Sequence, residues 1–196
     1  MKILFATANQ HKIDEVQQLL GESFEIITPA QLNYTGDIPE TGDTLEKNAL
    51  QKARFIFEKF GLSCFADDTG LEIDALNGAP GVYSARYAGD EKNSEANLQL
   101  VLKNLQGATT RAAQFRCVVA LILEGKEFLF EGKVNGEILL SPKGNQGFGY
   151  DPIFRPEGYD CAYAELSMNE KNKLSHRSKA VRQLVDFLKS TNFSNR

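Results

Sequence analysis

The stretch KILFATANQHKIDEVQQLLGESFEIIT, residues 2–28, carries the pattern that decides the fold. Residues 2–8 are an apolar run without a turn residue, which is typical of a strand buried on both faces. Asn9 is a suitable N-cap, and an apolar stripe at helical spacing follows it until Gly21 ends the pattern. Residues 24–28 are apolar again, so the stretch predicts a β-α-β unit with parallel strands.

The rest of the chain continues to alternate helices and strands. A helix is predicted to begin at Asp43, with Glu46 completing a capping box, and to end at Gly61. A buried strand at 62–66 is predicted to stop at the turn-forming residues 67–70. The later elements are an ordered Gly- and Pro-rich loop at 74–92, a helix at 94–105, strands at 113–123 and 127–140 joined by a hairpin at Glu124 and Gly125, a helix at 176–189, and a frayed tail from Ser190.

This order of elements predicts an α/β fold with a mixed twisted sheet flanked by helices. The pattern changes to β near Gly107 without a linker, a repeat or a low-complexity segment. We therefore expect residues 1–196 to form a single domain of two lobes with a central active-site cleft.

The composition limits the classes of partner. A net charge of −4 argues against a nucleic-acid-binding surface, which needs an excess of Lys and Arg. The N-terminal apolar run meets Asn9 and Lys12 too early for a signal peptide or a membrane span, so we expect a cytoplasmic protein without a membrane partner. The cysteines Cys64, Cys117 and Cys161 are odd in number and have apolar or aromatic neighbours, which predicts buried reduced thiols.

The first candidate site is the segment Thr7–Lys12, TANQHK, where the first strand ends and a helix begins. A helix start presents free backbone N–H groups and partial positive charge, which suit a phosphate, and Lys12 adds a full charge. The segment is not a Walker motif, because it lacks GxxxxGK[ST]. A capped helix with a solvated lysine would leave the same pattern.

The second candidate site is the pair Asp67 and Asp68 at the predicted end of a buried strand. Ligands of open α/β sheets collect outside the carboxyl ends of the strands, and adjacent carboxylates repel unless a cation compensates them. Mg²⁺ is the natural cation because it takes oxygen ligands and bridges phosphates. Asp68 is the predicted ligand and Glu40 a possible second one. A turn or helix cap formed with Thr69 and Gly70 is the alternative.

Two further segments offer groups for a base and for phosphates. In GFGYD, residues 147–151, glycines permit close approach of a ligand, Phe148 and Tyr150 offer flat faces, and Asp151 can accept hydrogen bonds. Ordinary β-turn packing is the alternative there. In SHR, residues 175–177, a helix start is predicted to carry a histidine and an arginine suited to phosphate or carbonyl groups.

Together these motifs resemble the inosine triphosphate pyrophosphatase family, which hydrolyses non-standard purine nucleotides. The resemblance covers nearly the whole chain, in the order TANQHK, ETGDTLEKNALQKA, FADDTGLEIDALNGAPGVYSARYAG, GFGYDPIF and LSHR. It implies that Asp68 is the catalytic proton acceptor and holds Mg²⁺, with Glu40 as the supporting metal ligand. The residues that it implies for substrate binding are Thr7, Ala8, Asn9, Gln10, His11, Lys12, Thr69, Phe148, Gly149, Tyr150, Asp151, Lys171, His176 and Arg177. Two positions depart from the family pattern: Lys47 replaces a Glu that is frequent there, and Thr69 replaces Ser.

The implied reaction converts ITP, dITP or XTP to the monophosphate and pyrophosphate, by attack of a magnesium-bound water on the α-phosphorus with Asp68 as base. The partner is thus a small nucleoside triphosphate, and the resemblance also implies a homodimer, with residues 75–87 as a possible part of the interface. Two rival hypotheses are a nucleotide-sensing module without turnover and a pyrophosphatase for pyrimidine or modified standard nucleotides. The acidic pair argues against the first, and GFGYD with SHR argues against the second.

Overall fold

The computed structural model describes residues 2–21 and 24–190, and its helices and strands form the α/β fold that the sequence predicts. The strands are β1 (Lys2–Phe5), β2 (Glu25–Ile27), β3 (Cys64–Ile73), β4 (Ala112–Leu123), β5 (Lys126–Ile138) and β6 (Phe154–Pro156). The helices are α1 (Gln10–Leu20), α2 (Leu45–Phe60), α3 (Ser94–Asn104), α4 (Met168–Leu174) and α5 (His176–Ser190). The six strands form one mixed sheet in the order β2-β1-β3-β4-β5-β6.

The first of two compact units takes in the chain up to Asp68, residues Cys117–Gly132 and the chain from Arg177 onward. In it, β1 pairs in parallel with both β2 and β3, which confirms the predicted β-α-β unit. The apolar sides of α1 and α5 pack on these strands, because their periodic Val, Leu and Ala side chains share one core with Phe5 and Phe65. The two phenyl rings are stacked, with centroids 4.4 Å apart.

The second unit consists of Thr69–Arg116 and Lys133–His176. Here β6 pairs antiparallel with the end of β5, from Gly136 opposite Pro156 to Ile138 opposite Phe154. Its own core joins Leu71 and Ile73 of β3 with apolar residues of α3, β4 and β5. Three short 3-10 helices, Asp74–Leu76, Gly81–Arg86 and Asp151–Ile153, give local order to the predicted Gly- and Pro-rich loops.

The prediction that the strand stops at Asp67 is wrong. β3 continues through Asp67, Asp68, Thr69 and Gly70 to Ile73, so both aspartates lie in the middle of a strand and do not form a turn or a cap. The local composition favours a turn because carboxylates are costly inside a sheet. The strand persists because side chains distant in sequence neutralise both carboxylates, as the site geometry below describes.

Three further features differ from the sequence-based expectation. β1 ends at Phe5 instead of Ala8, since the amide of Thr7 bonds back to the Phe5 carbonyl. Helix α2 is capped by Thr44, whose hydroxyl accepts from the Lys47 amide, whereas the expected cap Asp43 pairs with the Lys47 ammonium. The helix α4 was not predicted, although Ser167 and Glu170 form a capping box at its start.

Other expectations are confirmed. The β4–β5 hairpin turns at Glu124 and Gly125, both with positive φ (50° and 78°). All three cysteines are reduced thiols, and the predicted burial holds for Cys64 and Cys117 but not for Cys161, which is half-buried. Along residues 2–21 and 24–190, no helix combines the length and the hydropathy that spanning a bilayer requires. Beyond Ser190, the predicted frayed tail lies outside the described residues, and the assignment of the whole chain to one domain stays a prediction.

Candidate active site

The two adjacent aspartates of β3 have separate sets of partners, because successive side chains of a strand point to opposite faces. Asp67 is 2% exposed and accepts from Lys12 Nζ at 2.9 Å and from Arg177 Nε at 3.1 Å. Asp68 is 8% exposed and accepts from Lys52 Nζ at 3.2 Å and from Asn48 Nδ2 at 3.1 Å. Both aspartates are buried, and Asp68 is only slightly the more exposed of the two.

Asp67 belongs to a buried chain of alternating charges. Arg177 is 2% exposed and directs its Nε to Asp67, while its terminal nitrogen donates to the carboxylate of Glu15. Lys12 completes the chain at the less buried end, with 15% of its side chain exposed. Elements from three parts of the sequence, α1, β3 and α5, are therefore held together by charge-assisted hydrogen bonds.

Lys52 lies between two carboxylates in the first unit. Its ammonium donates to Glu40 Oε1 at 2.5 Å and to Asp68 Oδ1 at 3.2 Å. Burial alone lowers the pKa of Lys52, but the charges of Asp68 and Glu40 outweigh it and raise the pKa, so the ammonium stays charged. One cation thus already binds to both residues that the sequence nominated as metal ligands.

The carboxylate oxygens of Asp68 and Glu40 are of the kind that Mg²⁺ takes as ligands. No group of three or more His, Cys, Asp and Glu side chains within the described part of the chain is arranged to hold a metal ion. Mg²⁺ does not need such a cage, because it usually keeps several waters and takes one or two carboxylates together with substrate phosphates. Asp68 and Glu40 supply that number of carboxylates.

The pKa values of the two aspartates are shifted in opposite directions. Burial would raise the pKa of Asp67, but the charges of Lys12 and Arg177 outweigh it and hold the pKa well below its ordinary range. For Asp68, burial is the dominant effect and raises the pKa, with Lys52 opposing it in part. A pair of carboxylates with divergent pKa values suggests one fixed charge and one proton acceptor.

This divergence predicts an ordered titration of the metal-free protein. As the pH is lowered from 7, Asp68 should take up a proton above its ordinary pKa of 3.8, while Asp67 stays ionised well below that pH. Carboxyl carbon NMR of aspartate-labelled protein measures both titrations, and Asp68→Asn assigns the signal that disappears. Titration of Asp67 at or above the pH at which Asp68 titrates would contradict this assignment.

The predicted phosphate-binding segment Thr7–Lys12 spans the start of α1. Asn9 caps the helix, because its side chain accepts from the Lys12 amide at 3.3 Å, and its own amide donates to Thr7 Oγ1 at 3.2 Å. Residues 8–11 are exposed and Lys12 is half-buried. The first turn of the helix is therefore accessible to an anion, while the lysine beside it is held by Asp67.

A second cluster lies in the other unit, around Phe148, Asp151 and Lys171. Asp151 is 3% exposed, and its Oδ2 accepts both from the Phe148 amide at 2.8 Å and from Lys171 Nζ at 2.6 Å. Lys171 Nζ lies 5.0 Å from the centroid of the Phe148 ring. Gly147 is required here, since a Cβ on it would lie 2.1 Å from Asp151 Oδ2. The Asp151 carboxylate thus holds the lysine and the turn together.

The remaining predicted residues of this unit differ in their exposure. Tyr150 is 5% exposed and packs in the core, which leaves the half-buried Phe148 as the aromatic face of GFGYD. His176 is 2% exposed and stacks on Phe115, with ring centroids 4.6 Å apart. Thr69 and Gly149 are half-buried. The structure does not support the predicted stacking role of the Tyr150 ring.

Three polar residues of the first unit were missed by the sequence analysis. Asn48 and Lys52 of α2 bind Asp68, and Glu15 of α1 binds Arg177. A signal for the first two exists, since they fall one turn apart within the apolar stripe that contains Ala49 and Ala53. Polar residues on the buried face of a helix need partners, so they mark a site. No comparable signal distinguishes Glu15.

Comparisons with known proteins show which proteins this chain is similar to. A family model described as the Ham1 family matches residues 3–187. The chain is 52% identical over 191 residues to the dITP/XTP pyrophosphatase of Flavobacterium johnsoniae, covering 97% of this chain and 100% of that protein. It is 49% identical to the Porphyromonas gingivalis protein of the same description, covering 95% and 97%. The solved structure of the Staphylococcus aureus Ham1 protein superposes with a TM-score of 0.88 at 40% identity, covering 97% and 100%.

Proposed function

The chain belongs to the Ham1 family and is a nucleoside-triphosphate pyrophosphatase, and we propose that it converts ITP, dITP and XTP to the monophosphate and pyrophosphate. This reaction would remove non-standard purine nucleotides from the nucleotide pool. The observation that carries the proposal is that the carboxylates of Asp68 and Glu40 both bind the ammonium of Lys52, next to an ionised Asp67. The names of the relatives support the substrate class.

The proposed proton acceptor is Asp68. In the metal-free protein burial raises the pKa of its carboxylate, and its contacts with Lys52 and Asn48 fix the orientation of that group. Bound at Asp68 and Glu40, Mg²⁺ would neutralise charge on the phosphates and lower the pKa of the attacking water. Asp68 would then take the proton as water attacks the α-phosphorus.

The start of α1 is the proposed binding site for the phosphate chain. Its accessible N–H groups carry partial positive charge, which stabilises phosphate oxygens and the departing pyrophosphate. Lys12 is held by Asp67, yet an ammonium has three donors and its side chain is 15% exposed, so it can bind a phosphate without releasing the aspartate. Asp67 would keep that lysine in place.

The nucleobase is proposed to bind at Phe148 and Lys171. The ring offers a stacking face, and the lysine is a hydrogen-bond donor held in place by Asp151. The lysine can donate a hydrogen bond to the 6-oxo group of hypoxanthine or xanthine, but the 6-amino group of adenine offers it no acceptor. This difference gives a physical basis for rejecting ATP.

The direct test is to measure products with ITP, XTP, ATP and dTTP in the presence of Mg²⁺. We expect equimolar monophosphate and pyrophosphate from ITP and XTP, with ATP and dTTP slower by about 10²-fold or more, since a site built to hydrogen-bond one group rejects an analogue that lacks it. Pyrophosphate and orthophosphate are assayed separately, and chelation of Mg²⁺ is the control.

Each alternative outcome identifies a rival. Orthophosphate as the first product would reject the reaction class. Tight nucleotide binding without any turnover would favour the nucleotide-sensing module, and faster hydrolysis of dTTP than of ITP would favour a pyrimidine enzyme.

A homodimer is also part of the proposal. The segment 75–87 includes Tyr83, which is 56% exposed and whose ring centroid lies 5.4 Å from the guanidinium carbon of Arg86. This exposed surface supports an interface there, and the mass of the particle in solution tests it. The cytoplasmic location stays a prediction from the N-terminal sequence.

A further inference from the structure

The loop between Gly78 and Arg86 covers one edge of β3. In the second unit β3 is the outermost strand of the order β3-β4-β5-β6, and an outer strand carries backbone groups that need partners. The amide of Leu71 donates to Ser84 Oγ at 2.9 Å, and Glu72 forms an antiparallel bridge with Pro80. The Ser84 hydroxyl therefore replaces the carbonyl that a neighbouring strand would supply.

The same hydroxyl determines where the loop sits. Ser84 Oγ donates to the Gly81 carbonyl at 2.6 Å. The same oxygen therefore makes one hydrogen bond within the loop and one to β3. The approach is close because Gly70 has no side chain: a Cβ there would lie 2.7 Å from the Gly81 carbonyl oxygen. The position of Ser84 relative to β3 is thus narrowly defined.

Ser84 also contacts the turn that carries Phe148 and Asp151. Its carbonyl accepts from the Tyr150 hydroxyl at 2.8 Å, and both residues are buried, at 8% and 5% exposure. Burial raises the pKa of Tyr150, so the hydroxyl remains a donor at neutral pH. The backbone of Tyr150 is held as well, since its carbonyl accepts from the Ile153 amide at 3.0 Å.

We propose that Ser84 is a positioning residue for nucleobase recognition: its hydroxyl fixes the loop on β3, and its carbonyl holds Tyr150 and with it the turn that presents Phe148. This inference rests on the proposed function, which places the base at Phe148 and Lys171. A turn that can shift would keep the phosphate contacts of the substrate but would hold the base less precisely. Selectivity should then fall more than turnover.

The test uses Ser84→Ala and Tyr150→Phe, each of which removes one hydroxyl. Ser84→Ala removes two hydrogen bonds and Tyr150→Phe removes one. In each variant we expect the kcat/KM ratio of ITP to ATP to fall by roughly 5- to 10-fold, with KM for ITP rising and kcat within about twofold. Ser84→Thr keeps the hydroxyl and should keep the ratio. Tyr159→Phe, the same change at an exposed tyrosine of this unit (43% exposed), is the matched control.

A readout independent of activity separates the inference from the proposed function. Hydrogen exchange of the backbone at residues 145–153 should be faster in Ser84→Ala and Tyr150→Phe than in the wild type or in Tyr159→Phe. If the wild type hydrolyses ITP and the two folded variants keep its ITP to ATP ratio, the positioning role is overturned. If the wild type releases no pyrophosphate, the proposed function fails and hydrogen exchange alone tests whether Ser84 holds the turn. Faster exchange in the variants supports that positioning role, and unchanged exchange overturns it.

Discussion

Replacing Asp68 with Asn is expected to lower kcat by about 10²-fold or more, while nucleotide affinity changes only a few-fold. The amide has the shape of the carboxylate but can neither take up a proton nor offer a full charge to a metal ion. It also retains an oxygen for one of the two donors, Lys52 or Asn48, that bind Asp68. Single-turnover kinetics with ITP measure the chemical step, and calorimetry with a non-hydrolysable ITP analogue measures affinity.

The interpretation of that variant depends on its being folded. Whichever way the new amide is oriented, its NH₂ group faces one of the two donors, so some stability is lost. A melting curve recorded beside the assay separates this loss from the loss of chemistry. Asp90→Asn, the same change at an exposed aspartate, is the control and should retain wild-type turnover. Turnover equal to the wild type in folded Asp68→Asn would remove Asp68 from its proposed role.

Replacing Arg177 with Met is expected to lower the free energy of unfolding by about 3–5 kcal/mol, the usual consequence of leaving buried charges without their partner. Arg177 is 2% exposed and lies between Glu15 and Asp67, so its loss leaves two carboxylates in the core facing each other's charge. Methionine fills a similar volume, which limits the contribution from a cavity. Urea denaturation at pH 7 measures the change.

A matched pair on the surface provides the control for Arg177→Met. Arg54 makes a bidentate ion pair with Glu127, in which two guanidinium nitrogens lie 2.6 and 2.7 Å from the two carboxylate oxygens. The two side chains are 53% and 38% exposed. Solvent screens such a pair, so Arg54→Met should cost about 1 kcal/mol or less. Equal losses in the two variants would show that the buried charges of the first unit are not what stabilises it.

The difference in free energy of unfolding between Arg177→Met and the wild type is expected to depend on pH. The pKa of Asp67 is depressed in the folded protein, so its ionised form stabilises the fold above its ordinary pKa of 3.8, and that stability is lost as the pH falls through the folded value. In Arg177→Met the pKa of Asp67 should rise, because one of the two cations that bind it directly is gone. The stability gap between variant and wild type is therefore expected to narrow as the pH is lowered below about 4.

The elements that could be predicted from the sequence are those with a clear local period. The β-α-β unit, α3, α5 and the β4–β5 hairpin follow from helical or alternating spacing and from Gly at the breaks, which depend only on neighbouring residues. The end of β3 could not be predicted in the same way. The segment Asp67–Gly70 has the local composition of a turn. Its extended conformation is stable only because partners from α1, α2 and α5 bind the two buried carboxylates.

The order of the motifs along the chain was sufficient, by itself, to determine the family and to nominate Asp68, Glu40, Lys12 and Arg177 for the chemistry. Which carboxylate each cation binds was decided only by the tertiary structure. Arg177 meets Asp67 across 110 positions of sequence and Glu15 across 162. Contacts of that range leave no local period, because they arise when whole elements pack and buried charges must find partners. Packing therefore decided that Asp67 is held between Lys12 and Arg177 and that Asp68 binds Lys52 and Asn48.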